Sequence, residues 1–174
     1  VYAFLHISGM GQLDNDIGAL EDIRWARPER AVETAGANPD VIVGIKVRLS
    51  EGIVGVNDVV ALERALEAAG HVGKPLMIHI GSTNPPVEEI FGKLRQGDIV
   101  THSFTPNPPG IIGDDGKVIA AALEARQRGV VFDVGHGAGS FGFDVAEVAM
   151  AEGFPPATIS SDVHRSNVRG PVYD

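Results

Sequence analysis

"VIVGIKVRLS", residues 41–50, is built almost wholly of Val, Ile and Leu, yet carries an ammonium group, Lys46, near its end. An apolar run rich in β-branched residues, without alternation, is the pattern of a strand buried on both faces of a parallel sheet. The pattern recurs in "VYAFLHIS", "PLMIHIG", "DIVTHSF", "GVVFDVGHG" and "ATISSDVH". Between these runs lie helical patterns: "NDVVALERALEAAG", with Asn57 or Asp58 as N-cap and Gly70 as C-cap, then "PPVEEIFGKLRQG", "GKVIAAALEARQRG" and "FDVAEVAMAEG". Strand and helix thus alternate about six times, with strands starting roughly 20 to 40 residues apart, the span of a right-handed βα unit.

Two architectures share that rhythm, a doubly wound open sheet and a (β/α)8 barrel lacking units at one or both ends. A dinucleotide-binding sheet needs G-x-G-x-x-G directly after a strand. The nearest candidate, "GHGAGSFG" at 135–142, has the wrong spacing, so the barrel is the expected fold.

The 174 residues are 44% apolar and 21% charged, enough to bury one core. The net charge of −9, with no run among the 14 basic residues, argues against a nucleic-acid partner. No apolar stretch reaches the roughly 18 to 20 residues that span a bilayer, so no membrane partner is expected. Cysteine is absent, which excludes disulfides and thiolate metal sites. A cytoplasmic protein is the expectation. The chain opens on "VYAFLHIS", inside an apparent strand and without Met, so a piece of a longer polypeptide is expected.

The polar residues recur at one place in successive strands: Lys46, His79, His102, His136 and Asp162 all stand at or just past the C-terminal end of an apolar run. In a barrel those ends converge on one mouth, where barrel enzymes place their active sites. Imidazoles and a carboxylate there are ligands that Zn²⁺ or a similar ion accepts when no thiolate is offered. Each residue also has an ordinary explanation. A strand-end histidine is hydrogen-bonded at the rim of a core, Asp162 caps the next loop, and Lys46 snorkels to water. Five coincident positions favour a site.

Lys46 is the odd member, because burial among cations and apolar walls lowers its pKa and leaves a neutral amine. Such an amine either forms a Schiff base with a carbonyl substrate, as in barrel aldolases, or adds CO2 to become a carbamate. A carbamate is anionic and bridges two metal ions about 3.5 to 4 Å apart.

"IKVRLS" with Lys46, "MIHIG" with His79, "DIVTHSF" with His102, "FDVGHGAGSFGF" with His136 and "TISSDVH" with Asp162 resemble, in order and spacing, strands four to eight of the amidohydrolase superfamily barrel. The resemblance is to the amidohydrolase/deacetylase metallohydrolases, also termed dihydroorotase-like, and it covers essentially the whole chain. It implies a partial (β/α)8 TIM-type barrel over residues 1–174, strands three to eight. The first two strands and the flanking β-sandwich are then outside the sequence. It implies two divalent ions, although the family's first-strand H-x-H pair, which completes the buried metal site, does not occur here.

By the same resemblance Lys46 is the carboxylated lysine bridging two Zn²⁺, and His79 and His102 are ligands of the more exposed ion. Asp162 is a ligand of the buried one and the group that passes a proton from the attacking hydroxide to the leaving group. The implied activity is hydrolysis of an amide, cyclic amide or acyl ester of a small molecule, of the N-acyl amino acid or acetylated hydroxy acid type. A Schiff-base lyase using Lys46 and a non-catalytic barrel fragment are the alternatives. His136, after the seventh strand, faces the substrate or packs in its loop, and His164 is a substrate or metal-supporting contact. Arg48, on the face of Lys46, clamps a substrate carboxylate or forms a surface ion pair. His6 and His71 read as structural. The Pro- and Gly-rich loop "FTPNPPGIIGDDGKV" reads as a lid over the pocket or as a stiff surface loop. Many members of the family form higher oligomers, so a homo-oligomer is expected by resemblance.

Overall fold

The 41–50 stretch forms a strand whose two faces differ. Ile45, Val47 and Leu49 are fully buried, whereas Lys46 and Arg48 are only partly covered. In the computed structural model, which describes residues 1–11, 17–137 and 139–164, this strand is β2 (Ile42–Arg48). Its companions are β1 (Ala3–His6), β3 (Leu76–His79), β4 (Ile99–Thr101) and β5 (Val131–Phe132). All pairings are parallel, and the order across the sheet is β1-β2-β3-β4-β5, the order along the chain. A doubly wound sheet reverses its order at a switch point, while a barrel adds every strand on the same side. The observed order is that of a barrel; among the described residues β1 is left as an edge, and beyond β5 lies only a short paired segment.

The open sheet corrects one expectation. The runs predict strands buried on both faces, yet only the face toward the helices is fully buried, because the other is not enclosed by a closed ring. "ATISSDVH" is also not a regular sixth strand. A single parallel bridge joins Thr158 to Asp133. Bonds from Ala157 N to Phe132 O (2.8 Å), Val134 N to Thr158 O (3.0 Å) and His136 N to Ser160 O (2.8 Å) carry the pairing along β5 and past it. Gly135 and Gly137, at φ 52° and 51°, turn the segment that follows β5 and end any extended ladder.

The helices are α1 (Pro28–Ala37), α2 (Glu51–Val54), α3 (Asp58–His71), α4 (Val87–Lys93), α5 (Ala120–Gln127) and α6 (Phe143–Ala151). Helix α1 buries a stripe of small residues, Ala31 and Ala35; Pro28 at its first turn and Glu29 behind it are its start signal. Asn57 is the N-cap of α3 by backbone position, but its amide donates instead to Leu20 O and Glu21 O at 3.0 and 2.9 Å. Gly70 is not the C-cap, since α3 runs on to His71 and the chain reverses at Gly73, φ 63°. Ala61, Leu62 and Ala65 of α3, Ile90 and Phe91 of α4 and Ala122 of α5 join Ile45, Val47, Ile78, Val100 and Phe132 in one buried cluster. Each large side chain so buried contributes about 1.5–3 kcal/mol. No helix among the described residues is long and apolar enough to cross a membrane.

Candidate active site

The register places the polar groups. His6 pairs with Lys46, Lys46 with Met77, Arg48 with His79, and His79 with Thr101. Paired residues of neighbouring strands share a face, and residues two apart on one strand do too. Lys46, Arg48, His79 and Thr101 therefore lie on the face opposite Ile45 and Val47, toward the carboxyl ends of the strands. His102 follows β4 directly, Asp133 follows β5, and Asp162 lies four residues beyond the bridged Thr158.

Burial sets the charge states. His79 is driven down to about 2, first by desolvation and then by His102, Arg48, Lys46 and His6. Lys46 falls to about 8, again chiefly by desolvation, with Asp162 and Asp133 opposing the drop. Desolvation also lowers Arg48 against the pull of Asp162. His102 is lowered by burial, opposed by its bond to Gly135 and by the charge of Asp162. The two histidines are thus held as neutral imidazoles, the form that ligates a metal.

His102 and His79 meet edge to face, with ring centroids 4.3 Å apart. The Nδ1 of His102 lies 2.6 Å from Gly135 O. A carbonyl only accepts, so Nδ1 carries the proton and Nε2 presents a bare lone pair. That lone pair faces Asp162 Oδ2 at 3.9 Å. Two acceptors do not bond each other, but two metal–ligand bonds of about 2.1 Å end to end span up to about 4.2 Å, enough for one cation between them. The donor chemistry therefore fits a divalent ion. Among the described residues no group of three or more His, Cys, Asp or Glu is spaced to hold one unaided. A further donor is left to Lys46, which provides one as a neutral amine or in carboxylated form.

Backbone strain marks the same place. Ser82, His102 and Asp162 have φ of 53°, 64° and 48°, and non-glycine residues held there cost on the order of 1 kcal/mol or more each. Gly135 explains how the loop reaches His102. A Cβ there would strike Thr101 Oγ1 and lie 2.7 Å from His102 Nδ1 and 2.9 Å from its backbone N.

Asp133, not singled out from the sequence, organises the last segment. Its buried carboxylate accepts from Thr101 Oγ1 at 2.7 Å and Ser160 Oγ at 2.6 Å on Oδ2, and from Thr158 Oγ1 at 2.7 Å on Oδ1. Thr158 and Ser160 are both bonded to Asp133, which anchors the segment that leads to Asp162. Its signal was legible: an acid directly after the apolar run "VVF". His6, read as structural, instead stands in the Lys46 row, at the strand-end offset that singled out His79. His71 is exposed, its Nδ1 donating to Glu67 O at 2.9 Å.

His136 is partly buried, stacked on Phe141 with centroids 5.0 Å apart and planes at 22°. His164 is exposed, two residues beyond Asp162. The long loop is tied at its base. Phe104, Thr105 and Ile111 are buried, Gly142 N donates to Phe104 O at 2.8 Å, and Asn107 Nδ2 donates to Gly139 O at 3.0 Å. It therefore adjoins the loop that carries His136.

Parallel strands in barrel order, with imidazoles, a lysine and acids collected at their carboxyl ends, define a barrel-type α/β protein with a strand-end site. No family model matches the chain. Over its full length it is 38% identical to a deacetylase of Enterococcus faecalis, covering 47% of that protein, and 34% identical to a deacetylase of Brucella anthropi, covering 44%. Among solved structures, an adenine deaminase superposes with a TM-score of 0.93 at 37% identity, over all of this chain and 48% of the other. A dihydroorotase superposes with a TM-score of 0.88 at 33% identity, over 99% of this chain and 46% of the other. The chain spans about half the length of the curated relatives it matches. These relatives and neighbours point to the amidohydrolase superfamily.

Proposed function

We propose that this chain is strands three to eight of a metal-dependent amidohydrolase barrel. Its substrate is a small molecule with an amide, cyclic amide or acyl ester bond, of the N-acyl amino acid or acetylated hydroxy acid type. The observation that carries the reading is the neutral His102 Nε2 facing Asp162 Oδ2 across 3.9 Å, beside a second neutral imidazole. The deacetylase names of the relatives support the same reaction class.

His79, His102, Asp162 and a carboxylated Lys46 would hold divalent metal, with Zn²⁺ the first candidate. The metal supplies Lewis-acid polarisation of the scissile carbonyl and lowers the pKa of water. Asp162, its side chain 45% exposed, accepts a proton on the solvent side and returns it to the leaving group. Arg48, whose charge acts on Asp162, offers a planar donor fork to a substrate carboxylate. His136 and His164 border the approach from the two segments flanking that carboxylate.

Metal content by elemental analysis, on protein prepared with bicarbonate, tests the reading for wild type beside Lys46→Ala. One to two metals per chain that fall sharply in the variant are expected, with chelator-sensitive hydrolysis of simple amides. Negligible metal in the wild type overturns the hydrolase. A second reading rests on Lys46 being drawn down to about 8: as a free amine it forms a Schiff base with a carbonyl substrate. Borohydride trapping of a labelled aldehyde at Lys46 distinguishes the two.

A further inference from the structure

We propose that His6 is the hydrogen-bond donor that holds a carbamate on Lys46, a positioning residue for the metal site. The inference rests on the carbamate reading above and deepens it. The β1–β2 register sets His6 directly opposite Lys46, and both side chains belong to the same face. The His6 ring is oriented by its neighbour: Ser8 N donates to His6 Nδ1 at 3.1 Å. With Nδ1 accepting, the proton of the neutral ring sits on Nε2. Burial holds the ring neutral, near 4.

That Nε2–H is buried and has no hydrogen-bond partner among the described residues. Buried donors are nearly always paired, so an orphan one calls for the group that completes it. The charges that act on His6 are the cations Arg48 and Lys46. Neither an ammonium nor a guanidinium can accept a hydrogen bond. With Lys46 as the ammonium, the row His6, Lys46, Arg48 therefore presents donors to donors.

Carboxylation reverses this. The neutral Nζ lone pair forms an N–C bond to the carbon of CO2, one C=O π pair moves onto oxygen, and one N–H proton leaves to solvent. The product is N–H–COO⁻ plus H⁺. Lys46 then carries two anionic oxygens with about four lone-pair sites, as a carboxylate does. One lone pair satisfies His6 Nε2–H and the others remain for metal.

The test uses ¹³C-bicarbonate and NMR of the whole chain with Zn²⁺ present, the carbamate signal being assigned by its loss in Lys46→Ala. His6→Phe keeps the ring shape without the donor, and His6→Gln places an amide N–H near the position of Nε2. The expectation is that His6→Phe needs about tenfold or more dissolved CO2 for half occupancy, the weight of one hydrogen bond to a charged group. His6→Gln stays within about threefold of wild type. In ¹⁵N-histidine-labelled wild type, the His6 Nε2–H resonance moves as CO2 is added and does not move in Lys46→Ala, a readout that needs no His6 variant to fold. A carbamate that forms with equal affinity in His6→Phe, or without moving that resonance, overturns the role of His6 alone. Absence of any carbamate in wild type overturns the carbamate reading and this inference together.

Discussion

His79 and His6 are neutral because burial makes charge expensive, and this gives the metal-free protein a defined acid response. Both values are depressed below 6.5, His79 to about 2 and His6 to about 4. As pH falls below 6.5 the unfolded chain binds these protons before the folded one does. The stability is thus fully present above 6.5 and is lost on acidification, down to about 4 for His6 and about 2 for His79. Well below 6.5 the slope approaches about 1.4 kcal/mol per pH unit for each histidine. Urea unfolding of metal-free protein between pH 7 and 4.5 should show that decline, to which His102, also lowered by burial, adds, and His79→Leu should lessen the slope by up to about 1.4 kcal/mol per pH unit. A slope unchanged by the substitution would mean that the proton uptake occurs elsewhere.

The segment from Thr158 to Asp162 has almost no strand ladder of its own and depends on β5 and its loop. Asp133 supplies the side-chain attachment through Thr158 and Ser160. In Asp133→Asn the charge-assisted bonds weaken and one acceptor becomes a donor. The expected loss is about 1–3 kcal/mol, together with weaker Zn²⁺ binding because Asp162 is no longer aimed at His102. Thermal melting and a Zn²⁺ competition titration read the two effects separately. Gly135→Ala acts on the other side of the same loop. The methyl meets His102 backbone and the residue keeps φ 52°, so destabilisation beyond about 2 kcal/mol is expected. A near-wild-type melting temperature for this variant would show that the loop can move off His102.

The residues proposed to bind metal come from β2, β3, the turn after β4 and the last extended segment, groups that are 116 positions apart from Lys46 to Asp162. An ion bound to them would pin together parts of a sheet that is open among the described residues. Zn²⁺ at about 100 times its Kd should then stabilise the fold by about 2.7 kcal/mol. For a chain of this size that is a rise in Tm of about 5–10 °C, reversed by chelator. Lys46→Ala should blunt the shift without abolishing folding. An equal shift in wild type and in His102→Ala would place the ion at another site.

The apolar runs specified the parallel strands, because a short β-branched run without alternation has a composition that few other structures tolerate. The strand-end positions of Lys46, His79, His102 and Asp162 were legible for the same reason: a polar residue after such a run is conspicuous. Helix α1 was not, since the stripe it buries is made of small residues, Ala31 and Ala35, which add little to an apolar pattern. The irregular last segment was not either, because its ladder is broken by Gly135 and Gly137 conformations that apolar content does not encode. The roles of Asp133 and His6 depend on neighbours far away in sequence. Asp133 needed Thr158 and Ser160 to be brought beside it, and His6 needed the β1–β2 register that sets it opposite Lys46. Composition and pattern express local burial and periodicity; which donor meets which acceptor is decided only when the strands are laid side by side.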